Sequence, residues 1–431
     1  MGIGRDGLNA RSRKRKGGGA RRTERRELTV SRLGRHGDGI AEGGAGPVYV
    51  AGALVGERIE ADVAGDRGRL VRVIDPSPER VEAPCPHFGL CGGCTVQHFA
   101  PDAYRRWKRA TLETAFANRG IESSVDDLID AHGAGRRRVT LHVQREGGRV
   151  LVGFMRARSH DLLEIESCPI LAPGLETAFA VARELADVLP GRRRFDVAAT
   201  LTETGLDIAL SGVGELDYAA LTGLSDLADR LDLARVTADG DPVVTRRNPT
   251  LTMGSAKLVP PAGGFLQATA AGEAALAALV LEHAGDASRV LDLFAGSGPF
   301  ALRLAERAQV HAVDTDARAL AALDGAWRGR PGLKAVTTEM RDLFENPVYA
   351  QDLSPYDVVL FDPPRAGAEL QARELAGSGV ATVIAVSCEP ATFARDAEIL
   401  IKGGYALERA TPVDQFRFTG HVEIVGVFRK S

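Results

Sequence analysis

From Arg289 onward the chain alternates short apolar runs with segments of helical period. The runs are Arg289-Val-Leu-Asp-Leu-Phe294, Val310-His-Ala-Val313, Val358-Val-Leu-Phe361 and Val383-Ile-Ala-Val386, and the intervening pattern predicts helices over 298–307, 316–326 and 391–401. Strands that are apolar without alternation are buried on both faces, and the helices between them provide the cover, so this part reads as a doubly wound parallel sheet. Val422 to Phe428 follows a β-like run from Tyr405 with no helix between, which predicts an antiparallel edge pair.

The rest of the chain follows other patterns. From Glu27 to about Pro78, short β-rich runs separated by glycine-rich turns predict a small OB-like barrel, a shape that often binds oligonucleotides and sometimes only spaces domains. Residues 80–262 read as α+β, with a cysteine-bearing loop, a helix from an Asp102 N-cap to a Gly120 stop, β-like runs at 138–143, 149–154 and 161–165, and helices near 173–188 and 215–230. A length of 431 residues suits three such domains, at 27–79, 80–262 and 263–431. Ahead of them, residues 1–26 carry ten Lys/Arg against Asp6 and Glu24; the formal charge of −3 thus divides into +8 there and −11 in the remainder. A basic, glycine-rich segment without aromatics is expected to be disordered, as a solubilising tail or as an arm on a phosphate backbone. No run approaches 18 apolar residues and no secretory h-region opens the chain, so no membrane association and a cytoplasmic location are expected.

Three motifs fall where an open α/β sheet takes its ligands. Asp292-Leu-Phe294-Ala-Gly296-Ser-Gly298 joins the first strand to its helix, and the second strand closes on Asp314, whose carboxylate suits a ribose diol. The third glycine of a dinucleotide fingerprint is missing, so the pair fits S-adenosylmethionine better than NAD. Asp362-Pro363-Pro364-Arg365 ends another strand. Cys388 follows a third, ahead of a helix whose dipole is expected to lower the thiol pKa. Cys85, Cys91 and Cys94 crowd one glycine-rich loop, and Cys168 makes a fourth thiol. An iron–sulfur cluster and a tetrahedral zinc site both fit, with His87 and His98 nearby.

Together, Asp292-Leu-Phe-x-Gly-x-Gly, Asp362-Pro-Pro-Arg, Ser387-Cys388-x-Pro390, His421-Val-Glu423 and the four cysteines resemble the RNA uracil-5 methyltransferases that make 5-methyluridine, over about residues 27–431. The resemblance implies a TRAM-like β-barrel, a central α+β domain holding a 4Fe-4S cluster on Cys85, Cys91, Cys94 and Cys168, and a C-terminal class I, Rossmann-like methyltransferase domain. It implies S-adenosylmethionine contacts from Gln267, Phe294, Asp314, Asp342 and Asp362, a Cys388 nucleophile and Glu423 as proton acceptor. The expected activity is methyl transfer from S-adenosylmethionine to C5 of a flipped uridine through a Cys388–C6 adduct, by a monomer acting on RNA. The barrel and cluster resemble the branch acting on 23S rRNA. A tRNA substrate, or a non-catalytic RNA-binding iron–sulfur protein, are the alternatives; Cys388 and Glu423 together argue against the last. Ala295, Pro299, Asp314 and Glu389 depart from the family's pattern. Of these, Glu389 adds a charge that disfavours the Cys388 thiolate unless it points away or is paired, for example with Arg365 or Arg395.

Overall fold

The computed structural model describes residues 23–44 and 46–430. Most of the basic segment expected to be disordered lies outside them; its end, Glu24-Arg25-Arg26, opens the first strand, where Arg25 bonds Asp62 on the neighbouring strand. The described residues form two compact units, one of 23–34 and 38–78, the other of Arg35–Gly37 and everything from Glu79.

The smaller unit is a closed five-stranded barrel, from β1 (Glu24–Leu33), β2 (Asp38–Glu42), β3 (Pro47–Ala51), β4 (Arg58–Ala64) and β5 (Arg67–Asp75), in the order β1-β2-β3-β5-β4. Alternating residues such as Val48, Val50, Ile59, Ala61 and Val63 fill its interior.

The larger unit begins with the cysteine loop, α1 (Pro101–Ala117) and the two-residue strand β6 (Ile129–Asp130). A seven-stranded sheet follows, from β7 (Arg138–Glu146), β8 (Arg149–Met155), β9 (Leu162–Glu164), β10 (Arg194–Thr202), β11 (Gly205–Ser211), β12 (Arg235–Ala238) and β13 (Asp241–Thr245), ordered β13-β12-β11-β10-β7-β8-β9. Helices α2 (Ala178–Val188) and α3 (Tyr218–Arg230) bury Leu185, Leu224 and Leu227 in its core. After the hairpin of β14 (Leu251–Met253) and β15 (Ala256–Leu258) comes α4 (Ala270–Ala284).

The C-terminal sheet is built from β16 (Arg289–Leu293), β17 (Gln309–Asp314), β18 (Val336–Met340), β19 (Val358–Phe361), β20 (Thr382–Ser387), β21 (Tyr405–Asp414) and β22 (Glu423–Lys430). Its order is β18-β17-β16-β19-β20-β22-β21-β6, parallel from β18 to β20. Helices α5 (Ala301–Leu304), α6 (Ala317–Arg328), α7 (Glu369–Ala376) and α8 (Pro390–Lys402) lie between its strands. Both faces are covered: Val290, Val358 and Ile384 pack with Leu276 and Val280 of α4, while Leu291, Val359 and Val383 pack with Phe116 of α1 and Phe393 of α8.

Three local expectations need correction. α1 starts at Pro101, whose fixed φ suits a first helical position, so Asp102 lies inside the first turn and caps nothing. The helix expected over 298–307 shrinks to α5. Third, α1 and β6, drawn with residues 80–262, belong to the C-terminal sheet: β6 pairs with β21, and the Phe116 ring stacks on Phe393 at 5.9 Å. Among the described residues no helix is long and apolar enough to cross a membrane.

Candidate active site

Four neighbouring parallel strands end on one edge of the sheet, each delivering an expected residue. β16 runs into Phe294 and the glycine loop, β17 ends on Asp314, β19 leads to Asp362 and β20 to Cys388. Glu423 arrives from the other direction. β22 runs antiparallel to β20 with Ser387 opposite Ile424, so its first residue shares an edge with Cys388.

The loop after β16 is held in one shape. Phe294 adopts φ 60°, uncommon without glycine, and its ring meets Phe344 at 5.5 Å. Gly298 has φ 78°, and a Cβ there would come within 2.4 Å of Leu323. The Asp314 carboxylate closes the loop by accepting from the Gly296 and Asp316 N–H groups, both at 2.8 Å. Asp342 is exposed beyond β18 and accepts from Phe344 N–H at 2.9 Å. Asp292 is wholly buried; burial, with Asp362 and Asp314 nearby, holds its carboxyl well above the usual range against the backbone N–H of Ala301.

The acids expected to act are joined by amides. Gln415, fully buried, donates from Nε2 to Glu423 Oε1 at 3.1 Å and to Gln267 Oε1 at 2.5 Å; Gln267 Nε2 reaches Asp362 Oδ2 at 3.5 Å. Burial pushes Asp362 up to about 7. It pushes Glu423 up to about 8, with Asp362 adding to the shift while the Gln415 hydrogen bond, Arg365 and Lys108 oppose it.

The Cys388 thiol does not follow the helix-dipole expectation. Burial first, then the charges of Glu423 and Asp362, push it up to about 11, against Arg365. Glu389 is not among the largest causes. It is paired with Arg35, a residue of the larger unit, whereas Arg365 donates to His421 Nε2 at 3.2 Å and Arg395 pairs with Asp396 at 2.8 Å. His421, pushed down to about 4 by burial and Arg365, stays neutral and can accept that bond.

The loop between β21 and β22 is fastened from α1. Lys108, 1% exposed, bonds Asp414 Oδ1 at 2.5 Å and the carbonyls of Phe416 and His421 at 3.1 and 2.6 Å. Tyr104 OH donates to Asp414 Oδ2 at 2.5 Å and accepts from Phe418 N–H at 3.1 Å. Beside them the Thr95 and Val96 N–H groups, next to Cys94, both donate to the Phe418 carbonyl, at 2.8 and 3.1 Å.

Cys85, Cys91, Cys94 and Cys168 all line one cavity of about 480 Å³, together with Phe88, Phe154 and Arg136. Among the described residues no group of three or more His, Cys, Asp or Glu closes round a single metal ion. The thiols nevertheless feel one another: burial, and then Cys168, Cys91 and Cys85, push Cys94 up to about 11 against a bond to Gln97. Gly93 N–H donates to Cys91 Sγ at 3.4 Å. The same cavity extends to Gln267 and Phe416.

Known proteins are similar to this chain. A family model described as tRNA (uracil-5-)-methyltransferase matches residues 339–431. An uncharacterized RNA methyltransferase of Brucella suis is 45% identical over 94% of this chain and 98% of its own length. A 23S rRNA (uracil(1939)-C(5))-methyltransferase of Halomonas elongata is 34% identical over 93% of this chain and 88% of its own. The chain belongs to the RNA uracil-5 methyltransferase family. It is therefore an S-adenosylmethionine-dependent RNA methyltransferase. The fold agrees: the crystal structure of a Pyrococcus abyssi tRNA (uracil-54, C5)-methyltransferase with S-adenosyl-L-homocysteine superposes with a TM-score of 0.74, at 21% identity, over 93% of this chain and 99% of that one.

In this methyltransferase, Gln415, Lys108, Tyr104 and Asp414 were not singled out from the sequence. Lys108 had a signal: Tyr104, Lys108, Leu112 and Phe116 recur at four-residue spacing, and a lysine inside such a stripe must find a buried partner. Gln415 had none, because an amide next to a strand end carries no spacing rule.

Proposed function

We propose that this enzyme methylates C5 of a uridine in 23S rRNA through a covalent adduct, with Cys388 as nucleophile and Glu423 as proton acceptor. C5 of uracil is too weak a nucleophile to attack a methylsulfonium directly. Addition of the Cys388 thiolate to C6 makes an enolate, C5 takes the methyl group as S-adenosylhomocysteine leaves, Glu423 accepts the C5 proton, and the re-formed C5–C6 double bond expels the thiolate. The observation that carries this reading is the chain Glu423–Gln415–Gln267–Asp362, buried beside the strand end that bears Cys388. An acid raised to about 8 is well matched to a proton it must take and release near neutral pH. The cofactor contacts proposed are Gln267, Phe294, Asp314, Asp342 and Asp362. The rRNA substrate is favoured by the Halomonas relative, which spans nearly the whole chain.

Cys85, Cys91, Cys94 and Cys168 would hold a 4Fe-4S cluster. Four thiols line one cavity, the donor number such a cluster takes, and the Gly93 N–H donor onto the Cys91 sulfur suits a thiolate ligand. The cluster would supply a rigid covalent link between the cysteine loop and the Cys168 segment.

The test pairs two variants. Cys388→Ala should bind S-adenosylmethionine and form no adduct. Glu423→Gln should add and methylate but stall at deprotonation, accumulating a protein–RNA complex that survives denaturing electrophoresis. Methylation by Cys388→Ala would overturn the covalent route, and mapping 5-methyluridine to tRNA alone in the cell's RNA would overturn the rRNA assignment.

A further inference from the structure

We infer that Gln415 is a positioning residue for the methyl-transfer reaction, orienting the carboxyl of Glu423 and the amide of Gln267 together. The inference rests on the reading of Glu423 as proton acceptor. Gln415 stands at the mouth of the loop between β21 and β22, touching no solvent. Its amide orientation follows from its partners. The Thr269 backbone N–H can only donate, and it faces Gln415 Oε1 at 3.4 Å, so Nε2 is turned toward the two other groups. One Nε2 proton then goes to Glu423 Oε1 and the other to Gln267 Oε1. With its oxygen turned to Gln415, Gln267 directs its N–H donors toward Asp362.

The side chain has little freedom to leave. Gly272 passes so close that a Cβ there would lie 2.6 Å from Gln415 Oε1 and 2.7 Å from its Cβ. Asp414, the preceding residue, is locked by Lys108 and Tyr104. A group bonded to Glu423 through a fixed donor controls where the free carboxylate oxygen points, and misplacing a reacting group by about 1 Å can cost about a hundredfold in rate. The titratable and charged groups facing Glu423 are Asp362, Cys388, Arg365 and Lys108, none of which the Gln415 substitution alters chemically.

Gln415→Leu, which removes both donors at similar volume, tests this beside Glu423→Gln. Expected are a kcat lower by about a hundredfold, accumulation of the covalent RNA complex, and an acid limb of the pH–rate profile displaced upward. The sign of that displacement follows from the donated N–H, which stabilises the ionised carboxylate and is lost in the variant. A merely structural role would slow all steps together, with neither adduct nor shift. Gln415→Asn keeps the amide but falls one methylene short, and should show the same effects in smaller measure should the leucine variant not fold. Normal turnover and an unshifted profile in the folded variants, while Glu423→Gln traps adduct, would overturn the inference alone. Failure of Glu423→Gln to trap adduct would overturn the base assignment and this inference with it.

Discussion

Cys388 presents the main chemical difficulty of the site, because a thiol raised to about 11 is almost wholly protonated at neutral pH. Part of the cause is burial and part is the negative charge of Glu423 and Asp362. The second part can be offset by the cofactor. In the proposed mechanism, attack at C6 and methylation at C5 involve adjacent atoms, so the sulfonium would stand near the thiol, where its positive charge would favour the thiolate. Binding S-adenosylmethionine should therefore lower the midpoint of the pH dependence with which Cys388 is alkylated by iodoacetamide, followed by mass spectrometry of its peptide. S-adenosylhomocysteine has nearly the same shape without the charge and should shift it less. Equal midpoints with both would remove the cofactor from the activation of the thiol. Asp362 and Cys388 were legible as candidates because each follows an apolar strand, Cys388 after Val386-Ser387, whereas Glu423 opens β22 and was pointed to only by the resemblance. Their protonation was not. The sequence shows the helix after Cys388 but not that two acids from β19 and β22 converge on the thiol.

The elements were legible to the extent that periodicity declares them. β16, β17, β19 and β20 were visible as apolar runs, and the β21–β22 pair as two strands with no helix between. β6 was invisible, since two residues have no period, and with it the return of Ile129–Asp130 to the C-terminal sheet. Its consequence is mechanical: α1 and β6 lie against the strands that flank the loop carrying Gln415 and lead into Glu423. Lys108 and Asp414 form the buried ion pair at that junction. Desolvation lowers the Lys108 pKa and the Asp414 charge opposes this. Removing one partner of a buried pair leaves the other charged and uncompensated, at a cost of about 3–5 kcal/mol. Lys108→Met should accordingly lower stability by about that amount in chemical denaturation. Adding Asp414→Asn should recover part of it. A single variant as stable as the parent would show that the pair does not hold the loop.

At the scale of the molecule, residues 27–431 carry a formal −11, so RNA binding must rest on local cations rather than on overall charge. The four cysteines were readable as a set, but not what they are attached to. Thr95 and Val96, immediately after Cys94, bond the Phe418 carbonyl in the loop that leads to Glu423, and Phe416 of that loop lines the cysteine cavity. Anything that fixes Cys94 thus also fixes the approach to the active site. Protein purified without oxygen should be brown and carry about four irons per chain. Chelating the iron should then free the cysteine loop, making residues 85–96 a site of limited proteolysis while the barrel stays resistant, because its core of Leu28, Val30, Val50 and Ile59 is its own. Cys91→Ala should reproduce the chelated pattern, and should weaken adduct formation through loss of order rather than loss of a reacting group. A colourless protein with one stoichiometric zinc would refute the cluster. An iron-free chain with an unchanged cleavage pattern would show instead that the loop's hydrogen bonds to Phe418 suffice to hold it.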